Sequence, residues 1–473
     1  MLLAKREKTK LEFIGMNADN VTGSMTLIEN RELSVLIECG LYQSNDIVGD
    51  YRVNNRNWNF NPKKIDFIIL GHVHADHSMG IPRLYAEGCK ARIIVPKGTK
   101  GLYKLMGVDS AYIIERDCLS LEAKYKKSFH RMYTEDDVSE SYKYIEEYDF
   151  GEKIVLSDKL AIRFTGSGHI ISAAQIELWV TNNNKTTKIL YTSDIGNIKV
   201  PKYYSTKFEP IEKANIIIGE CTYNDPKREI KADTRKKDIA KMHEIIKNST
   251  GIVEIPIFAL DRCANILTIL YDIFGKDNAF KKDVVVDSPL AVKMLQEYLH
   301  ILEGSDLEKL KEVMNWRNLR LISDSIVSKN YMMQANDCVV LTAAGMLSKG
   351  RSRLWLKRII EDSNNTLMFV GYASENTLAS IIKNAKGSNA KIKIDDKEYK
   401  NRCKVVDLKS FTSHMQYNDL LNYYSSISAD KICLVHGDMK GKVEFAKVLQ
   451  EVIDKKASRT RVVCVNRYTS LNF

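Results

Sequence analysis

The segment GHVHADHSMG (71–80) sets His72, His74, Asp76 and His77 within a single short stretch. Imidazole nitrogens and carboxylate oxygens are the ligands zinc takes. The segment follows the apolar run IDFIIL, so it falls on a loop at the C-terminal end of a buried strand. Residues two apart in extended chain point the same way, so His72 and His74 can grip one metal together. Asp76 and His77 come where the chain turns toward a helix, and can face a second metal. These residue types rarely fall into this register by chance, so a metal centre is expected here.

The chain holds only nine histidines. Besides the motif, His169, His414 and His436 stand at loop-like positions beside Gly or Ser. His130, His243 and His300 sit in charged or helical contexts and receive no role. In GSGHIISAAQ (166–175), His169 follows the strand AIRFTG, in a turn flexible enough to aim it at a metal. A lone histidine there is more often structural, and only the first motif raises it to a ligand. Asp194 closes the strand KILYTSD. A carboxylate can bridge two cations about 3.5–4 Å apart, the spacing of two-metal hydrolases. Read alone, Asp-Ile-Gly is more often a turn.

These residues need a frame. Up to Glu220 the chain reads as short strands with turn signals, among them LEFIG, SMTLIEN, LSVLIECG, ARIIVP, AQIELWV and NIIIGE. From about 225 to 400, apolar strands at 251–259, 283–288, 338–344 and 365–372 alternate with helices expected at 235–247, 261–274, 290–303, 350–362 and 376–385. Such alternation implies a parallel, doubly wound sheet. After 403 the strands KVVDLKSF, KICLVHG and RVVCVNRY return, separated by two helices. The expectation is therefore one domain over 1–224 and 406–473, interrupted by a second α/β domain over 225–405.

Composition sets bounds. At 473 residues the chain is too long for one ordinary core. No apolar run approaches the roughly 20 residues of a membrane span. The opening MLLAKREKTK lacks the apolar stretch of a signal peptide, so the expected location is the cytoplasm. Nine singly scattered cysteines, with no CxxC pair, indicate neither a thiolate zinc site nor a disulfide framework. A net charge of +11 suits a polyanion such as RNA, and equally a lysine-rich solvated surface. A homodimer is compatible with the sequence, which does not determine oligomeric state.

HVHADH, GSGH, TSD and the early NVTGS (20–24) together resemble the metallo-β-lactamase superfamily. IIIGECTYND (216–225), IPIFALDR (255–262), VDSPLA (286–291), LTAAGMLSKGRS (341–352), FVGYASENTL (369–378), FTSHMQY (411–417) and CLVHGD (433–438) resemble, in order, the blocks of its β-CASP nucleases. The similarity covers nearly the whole chain and is closest to the RNA-cutting branch. It implies an αββα metallo-β-lactamase sandwich with an inserted β-CASP domain. It implies two Zn2+ ions: His72, His74 and His169 hold one, Asp76, His77 and His436 the other, and Asp194 bridges. It implies hydrolysis of RNA, endonucleolytic or from the 5′ end, by a metal-activated hydroxide in a cleft between the domains. Asp76, Glu220 and His414 are the catalytic residues, with Glu220 and His414 forming a proton relay. Arg262, Ser288, Arg351 and Ser413 are expected to meet RNA phosphates. A histidine at 436 favours RNA, since DNA-cutting relatives usually carry valine there.

Four positions depart from the family pattern. Glu38 stands where Asp is usual, Gly71 replaces a Thr, Cys221 a Ser, and Asn376 a Gly. None is an expected ligand. Competing readings are a DNA nuclease of the same family, a thioesterase- or lactamase-like hydrolase on the same fold, and a non-catalytic RNA-binding scaffold. A scaffold should have lost ligands, and all seven are present.

Overall fold

A computed structural model describes residues 8–200, 202–231, 233–374, 377–385 and 390–473. Asn376 lies outside them, as does the first residue of the helix expected at 376–385. The chain divides into two compact units. One comprises the residues up to Ile198, Ser205–Glu229 and Ser413–Phe473; the other comprises Lys199–Tyr204 and Ile230–Thr412. The second unit thus begins a few residues later than the expected 225 and runs past 405. It also takes in the short earlier segment at 199–204, which carries no composition signal.

The first unit is built on two seven-stranded sheets. One sheet runs Ser470–Asn472, Lys10–Phe13, Thr26–Glu29, Ser34–Ile37, Phe67–Ile69, Arg92–Pro96, Ile145–Tyr148. The other runs Arg461–Cys464, Lys431–Val435, Ile216–Glu220, Lys185–Tyr191, Ala174–Asn182, Leu160–Gly166, Lys153–Val155. A single apolar core draws on both sheets, with Leu11, Ile28, Val35 and Ile69 from one and Ile162, Ile176, Ile189 and Ile218 from the other. Helices Tyr417–Ser426 and Met439–Lys455 cover the far side of the second sheet through Leu420, Tyr424, Phe445 and Leu449. This is the expected αββα sandwich. Ile216–Glu220 is buried along its whole length, as a parallel strand covered on both faces must be.

Both sheets are part parallel and part antiparallel. Site residues follow the C-terminal ends of strands, where open α/β sheets bind their ligands. Glu38 follows Ser34–Ile37, and the histidine motif follows Phe67–Ile69. His169 follows Leu160–Gly166, Asp194 follows Lys185–Tyr191, and His436 follows Lys431–Val435. Glu220 is itself the last residue of its strand.

The second unit is a six-stranded, wholly parallel sheet in the order Leu319–Ile322, Asp283–Asp287, Cys338–Thr342, Val253–Pro256, Thr366–Phe369, Lys404–Asp407. Five of its helices, Thr234–Asn248, Arg262–Phe274, Pro289–Ile301, Arg351–Ile359 and Leu378–Asn384, fall where the alternation predicts them. Lys404–Asp407 closes this sheet rather than opening the return to the first unit. Helices Lys100–Tyr125, Gly304–Met314 and Ser325–Gln334 and the hairpin 390–401 were not foreseen. Among the described residues, no helix is long and apolar enough to cross a membrane.

Candidate metal centre

The histidine loop is held by its own backbone. Ser24, Leu41 and Cys39 donate their amides to the carbonyls of Asp76, Ala75 and His77 at 2.7, 2.9 and 2.9 Å. Gly40 permits this approach, because a Cβ there would lie 1.7 Å from the Asp76 carbonyl oxygen. His74 ends the extended stretch at the N-terminus of the short helix Ala75–Ser78, so Asp76 and His77 follow on that helix's turn.

The structure brings the seven expected ligands together in two sets, His72, His74, His169 and Asp194, and Asp76, His77 and His436, while Glu38, His72 and His77 form a third group across them. In the first, His72 Nε2 and His169 Nε2 lie 3.1 and 3.3 Å from His74 Nδ1. In the second, His77 Nε2 and His436 Nε2 are 3.2 Å apart. Two nitrogens bound to one tetrahedral zinc, each at about 2.0–2.1 Å, stand about 3.3 Å apart. Asp194 faces both sets. Its Oδ2 is 3.6 and 3.4 Å from His72 and His169, and its Oδ1 is 3.4 and 3.6 Å from His77 and His436.

Hydrogen bonds behind the rings fix which nitrogen is bare. Ser193 Oγ donates to Glu38 Oε1 at 2.8 Å, so it must accept from His72 Nδ1 at 3.0 Å. His77 Nδ1 donates to Glu38 Oε2 at 2.6 Å, and His169 Nδ1 to the Ser413 carbonyl at 3.4 Å. Thr222 Oγ1 donates to the His436 carbonyl at 3.3 Å and accepts from His436 Nδ1 at 2.8 Å. Neutral rings so held present the Nε2 lone pair inward. Were both rings neutral, His77 and His436 would aim two lone pairs at each other, and Asp194 Oδ1 is buried with no hydrogen-bond partner. Such an arrangement asks for a cation, and the donor set suits zinc.

Charge says the same. Burial disfavours the imidazolium of His77, but Glu38, Asp194 and Asp76 together outweigh it and raise its pKa to about 10. Asp76 is only partly buried, and His77, His436 and His74 hold its carboxyl well below the usual range against the desolvation that raises it. Burial drives His72 well down, helped by the neighbouring histidines. A proton on His77 thus occupies the place of a metal.

Sequence reasoning missed the acceptor at the back of the site. Glu38 is fully buried and takes hydrogen bonds from His77 and Ser193, and from the Tyr191 hydroxyl at 2.6 Å. It was seen only as a departure from the family pattern. Its one signal was an acid ending the apolar run LSVLIE. Gly71 has a reason as well, since a Cβ there would lie 2.6 Å from Ser193 Oγ, the atom that links His72 to Glu38. Cys221 is buried, with its Sγ donating to the Val435 carbonyl at 3.1 Å.

His414 stands beside the ligands. Its Nδ1 is 3.1 Å from Glu220 Oε1, its Nε2 is 3.9 Å from Asp194 Oδ2, and its side chain is 20% exposed. Glu220, 1% exposed, also accepts from the amides of Ile195 and Thr222 at 3.2 and 2.8 Å. Ser413 does not cap the helix that follows, which begins at Tyr417 with Gln416 as its N-cap.

The other expected phosphate contacts lie in the second unit, each with protein partners. Arg351 pairs with Asp287 and donates to the Ile322 carbonyl at 2.9 Å. Arg262 is 9% exposed and donates to the Val370 carbonyl at 2.9 Å. Ser288 caps Pro289–Ile301 by accepting from the Ala291 amide. A phosphate reaching these groups competes with those bonds.

Three family descriptions match the chain: the metallo-β-lactamase superfamily over 18–138, the Beta-Casp domain over 263–382, and a Zn-dependent metallo-hydrolase RNA specificity domain over 398–459. The chain combines metallo-β-lactamase and Beta-Casp domains. This β-CASP chain is 26% identical to a ribonuclease of Thermus thermophilus, over 91% of its own length and 94% of that protein's. It is 26% identical to an RNase J-like protein of Methanocaldococcus jannaschii, over 90% and 92%. It is 22% identical to the endoribonuclease YSH1 of Saccharomyces cerevisiae, over 92% of this chain but only 56% of the yeast protein. A crystal structure of an Enterococcus faecalis protein of unknown function shares the fold, with a TM-score of 0.53 at 11% identity over 98% of this chain and all of that one.

Proposed function

We propose that this β-CASP chain hydrolyses RNA phosphodiester bonds at a two-zinc centre. One observation carries the reading: Asp194 turns each carboxylate oxygen to a different histidine pair, and one of those oxygens is buried without a hydrogen bond. His72, His74 and His169 would hold one ion and Asp76, His77 and His436 the other, with Asp194 facing both sets. Relatives named as ribonucleases in a bacterium and a yeast support RNA as the substrate. The nine unbridged cysteines suit a reducing compartment such as the cytoplasm.

Bound there, two zinc ions supply a water acidified toward pH 7 and positive charge to offset the phosphate's. The protein's own groups do the rest. Glu38, Ser193, Thr222 and the Ser413 carbonyl keep the imidazoles neutral and aimed. Asp76 would join His77 and His436 as a ligand. His414 is the general acid: Glu220 orients its Nδ1, leaving Nε2 to protonate the departing oxygen.

End-labelled RNA and DNA of one sequence, digested with purified protein with and without a chelator, test this. Metal-dependent cleavage of RNA with little cleavage of DNA is expected. Equal cleavage of DNA would make the chain a general nuclease. No cleavage of either by the metal-loaded protein would remove the nuclease reading.

A further inference from the structure

The hairpin formed by Ala390–Ile394 and Lys397–Asn401 has two unlike faces. Inward, Ile392 and Ile394 are 2% and 0% exposed and belong to the core of the second unit, with Tyr399 packed against them. Anchored this way, the hairpin presents its outer face as a fixed surface. That face carries Lys391, Lys393, Glu398 and Lys400, and the alternation continues to Arg402; all five are exposed.

The register sets Lys391 directly opposite Lys400. Like charges in that relation destabilise a strand pair. Glu398 answers part of the repulsion, 3.3 Å from Lys391. Asp395, in the turn, is taken by Arg353 at 3.1 Å and by Lys357. Over 390–404 the chain has six cations and three carboxylates. A second place in the molecule makes a useful contrast. Lys153 and Arg163 also face each other across a strand pair, but the Trp179 ring lies within 4.2 and 5.5 Å of their charges, and Glu177 takes Arg163 at 2.7 Å and Lys188 at 2.5 Å. There the protein supplies its own counter-charge. On the hairpin the cations outnumber it.

We propose that this outer face is a contact surface for the phosphate backbone of single-stranded RNA. Residues two apart on a strand lie about 6.6 Å apart, so Lys391 and Lys393 on one strand, and Glu398 and Lys400 on the other, alternate along the face at a spacing like that of successive phosphates, with Arg402 just past the strand's end. The contact reads charge and not bases, so it grips RNA without regard to sequence. It explains why a strand pair keeps opposed lysines: the missing counter-charge arrives with the substrate. Lysines also guard hairpin edges against aggregation, but edge protection does not need them opposite one another.

The inference rests on RNA as the substrate, and the test separates the two. Binding of a labelled single-stranded RNA is followed over a salt series, in chelator so that nothing is cut. The variant is Lys391→Ala/Lys393→Ala/Lys400→Ala. A control, Lys241→Ala/Lys247→Ala/Lys281→Ala, removes the same charge from exposed positions elsewhere in the second unit. Each phosphate contact contributes about 0.7 to the slope of log K against log salt, so the hairpin variant should lose about 2 and the control almost none. Hydrolysis of a nitrophenyl phosphodiester by metal-loaded protein should be unchanged in both, and the hairpin variant should melt no lower than the wild type, since it loses the Lys391–Lys400 repulsion. An unchanged slope, an equal loss in the control, or a wild type that binds no single-stranded RNA would overturn the proposal. RNA bound and hairpin-dependent, but never cut, would leave it standing and defeat the nuclease reading.

Discussion

Two buried carboxylates, one in each unit, face opposite fates. Asp194 and Glu254 are 3% and 0% exposed, and each has one oxygen without a hydrogen-bond partner. Burial raises the pKa of both. Around Asp194, His436, His77 and His414 outweigh burial and hold the carboxyl below its usual range. Around Glu254 only the Thr342 hydroxyl, donating at 2.9 Å, favours the charged form, while Asp287 opposes it, and the pKa lies well above the usual range. The donors nearby serve Asp287 instead, through Arg351, Trp355 Nε1 at 2.7 Å and Ser328 Oγ at 2.7 Å. Burial alone therefore does not mark a functional acid. A bare oxygen among converging ring nitrogens marks a cation site; a bare oxygen among apolar strands marks a neutral acid carrying its own proton.

Asp194→Ala should break this contrast most severely. It removes the carboxylate facing the Nε2 atoms of both sets, so metal content should fall and RNA cleavage drop by more than about 10³-fold, the scale seen when one member of a catalytic unit is lost. Elemental analysis beside a cleavage assay checks it. Next comes His414→Ala, which should keep metal and fold yet slow RNA cleavage by about 10²–10⁴-fold. A nitrophenyl phosphodiester, whose leaving group needs no proton, should be largely spared. Equal slowing of both substrates, or loss of metal, would remove His414 as the acid.

Glu38→Gln should weaken zinc binding by about 10–100-fold, because it alters the partner that orients His77. Competition with a chromogenic chelator measures this. The same titration carries a pH signature. Below about 10 the metal-free protein holds a proton on His77, which zinc must displace. Zinc affinity should therefore fall about tenfold for each pH unit lowered, per proton released. Affinity that does not vary with pH would contradict the assignment of His77.

The smallest effect is expected at Glu254→Gln. Metal content and cleavage should not change. A carboxyl whose pKa is raised by folding binds its proton more tightly folded than unfolded, so stability falls as pH rises above the ordinary carboxylate range. Glutamine does not titrate, so thermal melts should show the variant gaining on the wild type as pH increases. A variant that sheds metal would erase the distinction between the two acids.

Much of this was legible in the sequence because it is local. His72, His74, Asp76 and His77 declare themselves by spacing, whereas His169 and Asp194 needed that motif beside them and His436 took its role from the family resemblance. The partners were not local. Glu38 meets His77 39 residues away, and Thr222 meets His436 across 214. Arg351 reads as a free cation until Asp287, 64 residues distant, is placed beside it. Helix Lys100–Tyr125 was missed because Tyr112 and Leu119 stand 61% and 50% exposed, which blurs the apolar stripe that reveals a helix. The strand Lys404–Asp407 was assigned to the wrong sheet, since an apolar run names a strand but not its neighbour.

The central claim is that Asp194 sits between two metal ions and that RNA cleavage needs both. Stripped protein titrated with zinc, with bound metal and cleavage of labelled RNA measured at each step, tests it most directly. Binding should saturate at about two zinc ions per chain, with cleavage rising mainly with the second equivalent. Full activity at one ion per chain, or in metal-free protein, would contradict it.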